Sequence, residues 1–472
     1  MSHKIGLLPL ARPTFDVPYA QEQFAAMLEQ LSRVTIDGQA PVLVGSRELL
    51  FDAQQTEAAI ADLKREMPGQ LLVLQVTFTD AAMLVAAAAQ VSCPLSIWAI
   101  PEPRLGGRLR LNSFCGLNLG SHALSLNQTD FGYLYQAPSG DGAAGVVDAL
   151  TELLTGRRSI RPLPVEASTN YVSEAGQEIV ESMRGKRVAR IGEHPDGFAT
   201  CAYNANRAKE LTGISVDELD LTDLFAKAKQ ADADTTAAVA RQAEAGLSGL
   251  DQVDQEQLNR SYQLKVALDG IREQGSYDAF AIRCWPETFT EYGGAVCGPV
   301  SMLGESRVPC ACEADVYGAL TQLMLQSVAD SPVFLVDLVD LDAEDNSGVV
   351  WHCGQAPLSM ADTDVEPVAT IHTNRKMPLL YQFPLKPGRV TFARISQARG
   401  EPKLIISGGD MLKRDMAFTG TSGVVRFDRN AGAMLSRVMD SGLEHHLGLV
   451  YGDYVDSLKS VAAGLELPII EL

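Results

Sequence analysis

Cys310-Ala311-Cys312-Glu313-Ala314-Asp315-Val316-Tyr317-Gly318-Ala319-Leu320 sets two carboxylates ahead of apolar residues at helical spacing, Val316, Leu320, Leu323 and Met324. The spacing predicts a helix over 309–327 with Glu313 and Asp315 in its first turn. Pro332-Val333-Phe334-Leu335-Val336-Asp337 follows, a strand that stays apolar until it ends in an acid. A helix feeding a buried strand is the unit of α/β sheets, and acids at such junctions point to a metal or proton-transfer site. Much later the chain supplies Glu444-His445-His446.

Upstream of this stretch, strands and helices alternate as in parallel sheets. Strands are expected at 4–10, 41–44, 70–76 and 94–99, with helices at 18–31, 56–66 and 79–91. The stretch 111–122 reads as a turn into a packed helix. Thr155-Gly156-Arg157-Arg158-Ser159-Ile160-Arg161-Pro162 has the glycine, proline and local charge of a linker. A second α/β segment then begins with a strand at 186–192, continues through helices near 222–230, 235–245 and 255–274, and reaches a strand at 277–285. From Val349 the texture changes to short alternating strands separated by Gly, Pro and Asn turns. A helix (430–441), a strand (447–451), another helix (453–465) and a closing strand (468–470) complete the chain.

The expected architecture is therefore two consecutive α/β, Rossmann-like parallel-sheet domains, 1–160 and 161–330, followed by a C-terminal antiparallel β-barrel-like domain, 331–472. A chain of 472 residues exceeds what one core usually organises, which suits three domains. Its 46% hydrophobic content is that of ordinary globular protein. With 39 basic against 59 acidic residues and a net charge of -20, nucleic acid is excluded as a partner, because its phosphates would be repelled. The apolar run in 1–10 is too short for a signal or a membrane span, as is the alanine-rich 81–91. A soluble, cytoplasmic protein without membrane attachment is expected. Eight dispersed cysteines then favour reduced thiols over a disulfide framework. Cys310 and Cys312 form a CxC pair that no second pair completes into a zinc site.

Glu313, Asp337, His352, His372, His445 and His446 are the candidate residues for chemistry, and four of the seven histidines fall between 352 and 446. Carboxylates with imidazoles suit Mn²⁺, Fe²⁺, Co²⁺ or Zn²⁺, and Mg²⁺ less well. Each residue also has a plain structural reading. Glu313 or Asp315 at a helix start opposes the macrodipole, worth about 0.3–1 kcal/mol. His352, His372 and His122 read equally as hydrogen-bonded core histidines. Asp340 and Asp342 are a rival ligand pair or a solvated turn. Asp337 is the hardest to explain structurally, because a carboxylate ending an apolar run needs a cation or donors. His445 and His446, if extended, face opposite sides, so only one would meet a given site. Arg12 with Asp16, and Trp98, lie at strand ends where α/β sheets bind ligands, and serve equally as a local ion pair and interface filler. No GxGxxG or GxxxxGK[ST] phosphate loop is present.

Cys312-Glu313-Ala314-Asp315-Val316-Tyr317-Gly318-Ala319-Leu320, Phe334-Leu335-Val336-Asp337 and Glu444-His445-His446 resemble the L-fucose isomerase and L-arabinose isomerase superfamily. Gly6-Leu7-Leu8-Pro9-Leu10-Ala11-Arg12-Pro13-Thr14-Phe15-Asp16 and Asn112-Ser113-Phe114-Cys115-Gly116 resemble its fucose-isomerase-like branch. The resemblance implies an Mn²⁺-dependent aldose–ketose isomerase, with Co²⁺, Fe²⁺ or Mg²⁺ as alternative ions, acting on a monosaccharide through an enediolate. It implies Glu313 and Asp337 as catalytic acids and metal ligands, His446 as a further ligand and His352 as an additional one. Arg12, Trp98, Trp285 and His445 are implied in substrate binding, with Trp98 lent to a neighbouring subunit of a homo-oligomer. Trp285 is followed by Pro286 where the fucose isomerases resemble Trp-Gln, which leaves the sugar open. The rival readings are a lyase or epimerase using the same metal site, and a non-catalytic sugar-binding protein.

Overall fold

The computed structural model describes residues 3–472. Five strands form the first sheet: β1 (Lys4–Leu10), β2 (Val42–Gly45), β3 (Gln70–Gln75), β4 (Leu95–Ala99) and β5 (Phe131–Tyr135). All are parallel in the order β2-β1-β3-β4-β5. β3 and β4 are buried along their whole length, as unbroken apolar strands covered on both faces must be. The order reverses between β1 and β3, which leaves a crevice at their carboxyl ends. Arg12 follows β1 there, its N–H donating to Thr77 Oγ1 at 2.8 Å just beyond β3.

The second sheet holds β6 (Arg187–Ile191), β7 (Ser215–Leu219), β8 (Ala279–Ile282) and β9 (Cys310–Ala311). It is parallel in the order β7-β6-β8-β9. The third contains β10 (Phe334–Asp342), β11 (Ser347–His352), β12 (Val368–Thr370), β13 (Leu380–Pro384), β14 (Gly388–Ser396), β15 (Lys403–Met411), β16 (Thr421–Phe427), β17 (His446–Tyr451) and β18 (Ile469–Glu471). Successive antiparallel pairings β16–β11, β11–β10, β10–β17, β17–β14, β14–β15 and β15–β16 return to their starting strand, so these strands close a barrel. The sheet is nonetheless mixed: β13 joins β16, and β18 joins β15, in parallel.

Two helices join the layers. Ser113–Leu126 is buried from Ser113 to Ser125, because it lies between the first sheet and the barrel. There Cys115 Sγ donates to Leu338 O at 3.4 Å and Asn118 Nδ2 to Glu444 O at 3.3 Å. Val316–Ala329 is buried from Val316 to Leu325, in a core shared by Ala279 and Ala311 of the second sheet and by Leu335, Ala393 and Val450 of the barrel. This packing brings the carboxyl ends of both parallel sheets onto one rim of the barrel. No helix among the described residues is long and apolar enough to cross a membrane.

Candidate active site

The expected helix over 309–327 breaks into three pieces. Cys310–Ala311 is strand β9, Cys312–Ala314 is a tight turn, and the helix starts only at Val316 with Asp315 as its N-cap. Glu313 and Ala314 take left-handed backbone, φ 58° and 54°. Such conformations cost about 1–2 kcal/mol each for residues with a Cβ and persist where packing over-determines them. Glu313 is therefore aimed by a constrained turn, not carried on a helix face.

Asp337 lies opposite His446 across the β10–β17 pair, so register alone brings this acid and this imidazole together. His446 Nε2 is 3.5 Å from Asp337 Oδ1 and 3.8 Å from Glu313 Oε2. His446 Nε2 thus lies beside both acids in a buried setting. His445 reaches both acids too, its Nε2 at 3.1 Å from Glu313 Oε2 and 4.0 Å from Asp337 Oδ1. The expectation that only one of the two histidines would face the site is overturned. His446 is the first residue of β17 and His445 sits in the bend before it, so strand alternation does not apply, and their ring centroids are 4.0 Å apart.

Behind His446 stands a buried relay. His446 Nδ1 donates to Asp315 Oδ2 at 2.9 Å. Arg394 clamps Asp315 with two hydrogen bonds of 2.5 and 2.9 Å, and its Nε lies 3.8 Å from Glu444. Gly318 makes room for this, since a Cβ there would sit 2.6 Å from Asp315 Oδ2 while its N–H caps Oδ1 at 2.8 Å. Burial would raise Asp315's pKa, but Arg394's charge and the hydrogen bond from His446 hold it well below the usual carboxylate range. Burial and the neighbouring His445 lower His446's pKa, which favours the neutral imidazole that ligates metal. Burial would raise Glu313 too, but His445, His446 and the Trp285 N–H together pull it down to about 2, whereas burial raises Asp337.

The donor set fits a divalent cation. Asp337 Oδ1 and His352 Nε2 are buried with no hydrogen-bond partner. Asp337, His445 and His446 present ligand atoms within 4.8 Å of one another, as do Cys201, Glu313 and His446. Two carboxylates with imidazole match Mn²⁺, Fe²⁺ or Co²⁺. His352 stays beside this cluster, its ring 5.7 Å from that of His446, and its Nδ1 accepts the Cys353 N–H at 2.9 Å. Because a carboxylate orienting a ligand histidine tunes metal affinity, Asp315→Asn is expected to weaken Mn²⁺ binding about 10–100-fold in equilibrium dialysis. Unchanged affinity would show that the relay does not serve the cation.

The cluster opens into a cavity of about 110 Å³ lined by Arg12, Phe15, Phe78, Trp285, Trp351 and Arg375 among others. Trp285 Nε1 donates to Glu313 Oε1 at 3.0 Å, and its ring lies beneath two guanidiniums, Arg12 at 5.5 Å and Arg375 at 5.0 Å. Arg12 pairs with Asp80 at 2.8 Å, and Asp16 with Arg110, so the expected Arg12–Asp16 pair does not form. A wider groove of about 980 Å³ near Leu163, Arg207 and Lys403 holds no such set of acids and imidazoles.

Arg12, Trp285 and His445 thus gather around Glu313 and Asp337, but Trp98 does not. It is completely buried in the core of the first sheet, with its indole N–H donating to Gln136 O at 2.9 Å, so it cannot reach the site of a neighbouring subunit. His372 stands at the cavity wall, 5.4 Å from the Phe289 ring, and His122 is a core residue bonded to Gly442 O at 2.9 Å. Asp340 is neither ligand nor solvated turn: it is buried and held by Arg104 at 2.6 Å and by the Tyr135 hydroxyl. The expectation that reduced thiols prevail over a disulfide framework is corrected at one pair, the other six cysteines being free. β8 and β9 pair Phe280 with Cys310, which sets Cys284 and Cys312 at the adjacent strand ends with Cα atoms 5.8 Å apart, and their sulfurs are bonded. Arg394 and Asp315 behind the site, and Arg375 in the cavity wall, are residues whose placement sequence reading missed. A lone arginine inside the apolar strand 390–395 was the one signal for the first of them.

Residues 6–163 match the family profile described as fucose/sulfoquinovose isomerase, N-terminal domain, and residues 350–472 that described as L-fucose isomerase, C-terminal domain. Curated relatives named sulfoquinovose isomerase align along nearly the whole chain. The protein from Priestia megaterium is 28% identical over 461 residues, covering 98% of this chain and 97% of its own. Those from Alkalicoccus urumqiensis and Clostridium sp. (strain MSTE9) are 28% and 27% identical, each alignment covering 98% of both chains. With both terminal domains matched, and with an acid–imidazole cluster built from the second sheet and the barrel, the chain belongs to the fucose isomerase-like family of sugar isomerases.

Proposed function

We propose that this protein is a divalent-metal-dependent ketol-isomerase that converts an aldose into its ketose, with sulfoquinovose, the sugar named in its relatives, as the first substrate to test. The observation that carries this reading is His446 Nε2 lying 3.8 Å from Glu313 and 3.5 Å from Asp337, whose buried Oδ1 has no hydrogen-bond partner. Glu313, Asp337 and His446 would hold the cation, with Mn²⁺ the ion best suited to their mixture of oxygen and nitrogen. When bound, it supplies Lewis-acid polarisation of the sugar's O1 and O2.

The chain's own groups move the protons. Isomerisation breaks one C2–H bond, forms one C1–H bond and passes one hydroxyl proton from O2 to O1, with no net gain or loss of electrons. Glu313 and Asp337 divide these transfers as base and acid through an enediolate. Trp285 Nε1 fixes one oxygen of Glu313 and leaves the other turned toward the histidines. Phe15, Phe78 and Trp351 supply an apolar wall that keeps competing water from the carboxylates.

The test is a panel of aldoses, including sulfoquinovose, glucose and L-fucose, incubated with metal-stripped protein with and without Mn²⁺. Ketose is expected only with metal and fastest from sulfoquinovose. Failure of every aldose under both conditions would contradict the reading.

A further inference from the structure

Arg375 shares the cavity with Glu313 and Asp337, yet the mechanism above gives it no task. Arg12, stacked on the same indole, is neutralised by Asp80 at 2.8 Å. Arg375 is not neutralised. Among the described residues no carboxylate comes within the 4.0 Å of an ion pair, and the charged neighbour that acts on it most is Arg12, another cation. In a chain with 59 acidic residues against 39 basic ones, a partly buried guanidinium without an acid is conspicuous, because desolvated cations are ordinarily paired.

Its place is fixed by neighbours. His372 Nδ1 accepts the backbone N–H groups of Asn374 and Arg375 at 3.2 and 3.3 Å, and Arg108 donates to Asn374 Oδ1 at 2.9 Å. Trp285 lies under the guanidinium at 5.0 Å and touches Glu313 with its other edge. The cation therefore stands one indole away from Glu313, on the wall of the same cavity.

We infer that Arg375 is the specificity-determining residue for an acidic group at the end of the sugar remote from C1 and C2. This rests on the isomerase reading above. A planar guanidinium offers two parallel N–H donors to two oxygens of one acid group, and sulfonate, carboxylate and phosphate all present such a pair. A neutral sugar leaves the cation unpaired, so discrimination arises from the penalty against the wrong substrate as much as from attraction to the right one. The acid group Arg375 takes is the sulfonate carried by sulfoquinovose.

The test compares kcat/KM for sulfoquinovose, glucose 6-phosphate, glucuronate and glucose in the Mn²⁺-loaded wild-type protein and in Arg375→Gln and Arg375→Lys. In Arg375→Gln the preference for sulfoquinovose over glucose is expected to fall roughly 10- to 150-fold, as loss of a charge-assisted hydrogen bond implies. Arg375→Lys should recover only part of it, and serves alone if the glutamine variant fails to fold. A wild-type preference for phosphate or carboxylate over sulfonate, lost in the variants, would keep the anion subsite and overturn the sulfonate assignment. An unchanged preference, or an equal fall on glucose, would overturn the role of Arg375 while leaving the isomerase reading intact. Calorimetric binding of sulfoquinovose separates the opposite case: binding that weakens in Arg375→Gln without turnover in any protein would uphold the subsite and sink the isomerase.

Discussion

Glu313→Gln is expected to lower kcat for ketose formation by roughly 10³-fold or more, since a positioned carboxylate contributes about 10²- to 10⁴-fold and this one also holds the cation. The substitution is nearly isosteric, and the amide oxygen can still accept the Trp285 N–H now bonded at 3.0 Å. Stability should therefore stay close to wild type. The effect should also outlast saturation with Mn²⁺, because proton transfer needs an ionisable oxygen and not only a ligand. Wild-type turnover in this variant would remove Glu313 from the chemistry. A loss fully restored by excess Mn²⁺ would reduce it to a ligand.

The largest expected effect on stability is at Arg394. Its side chain is 0% exposed, and its partners Asp315 and Glu444 are each 1% exposed. Arg394→Met removes the one full positive charge among them and leaves two buried carboxylates without it. Breaking a buried pair from one side costs about 3–5 kcal/mol. The denaturant midpoint should fall accordingly. The double variant Arg394→Met with Asp315→Asn should recover part of the loss, because the second change removes one of the stranded charges. A single variant as stable as wild type would mean that solvent reaches Asp315, against the closed relay described here.

Much of the fold is legible where strands are buried on both faces. Leu71-Leu72-Val73-Leu74 and Leu95-Ser96-Ile97-Trp98-Ala99 read as strands because a parallel sheet between helices demands unbroken apolar runs, and both appear as β3 and β4. Ser215-Val216-Asp217-Glu218-Leu219 escapes the same reading. It is the edge strand β7, partly exposed and half acidic, so its pattern carries no core face. β13 escapes because it is short, ends in Pro384 and pairs in part with a parallel neighbour. The alternating texture after Val349 correctly announces a barrel. Its closure through β15 and β16 is a matter of distant pairings that no local pattern encodes.

The site divides in the same way. Asp337 is visible because an acid closing an apolar strand needs a physical reason, and its unpartnered oxygen beside His446 supplies one. Glu313 is visible as a residue type in the right stretch, but its left-handed turn is not, since a helix pattern extends past it without a break. Arg394 and Asp315 lie 79 positions apart and meet only when the helix Val316–Ala329 docks on the barrel. Arg375 sits in a loop whose sequence has no period at all, and only the folded structure shows that no carboxylate pairs with it. Trp98 is the converse case: an aromatic at a strand end suggests a ligand contact, and here the core takes it instead.

The most direct test of proton transfer between Glu313, Asp337 and the sugar is conversion of sulfoquinovose in deuterium oxide by the Mn²⁺-loaded protein, followed by NMR at C1 of the ketose. Transfer through an exchangeable carboxylate predicts deuterium at C1 in the wild type, and neither ketose nor label in Glu313→Gln or after chelation. Ketose formed by Glu313→Gln at the wild-type rate, or by the wild-type protein after chelation, would contradict the roles given to the acids and the cation.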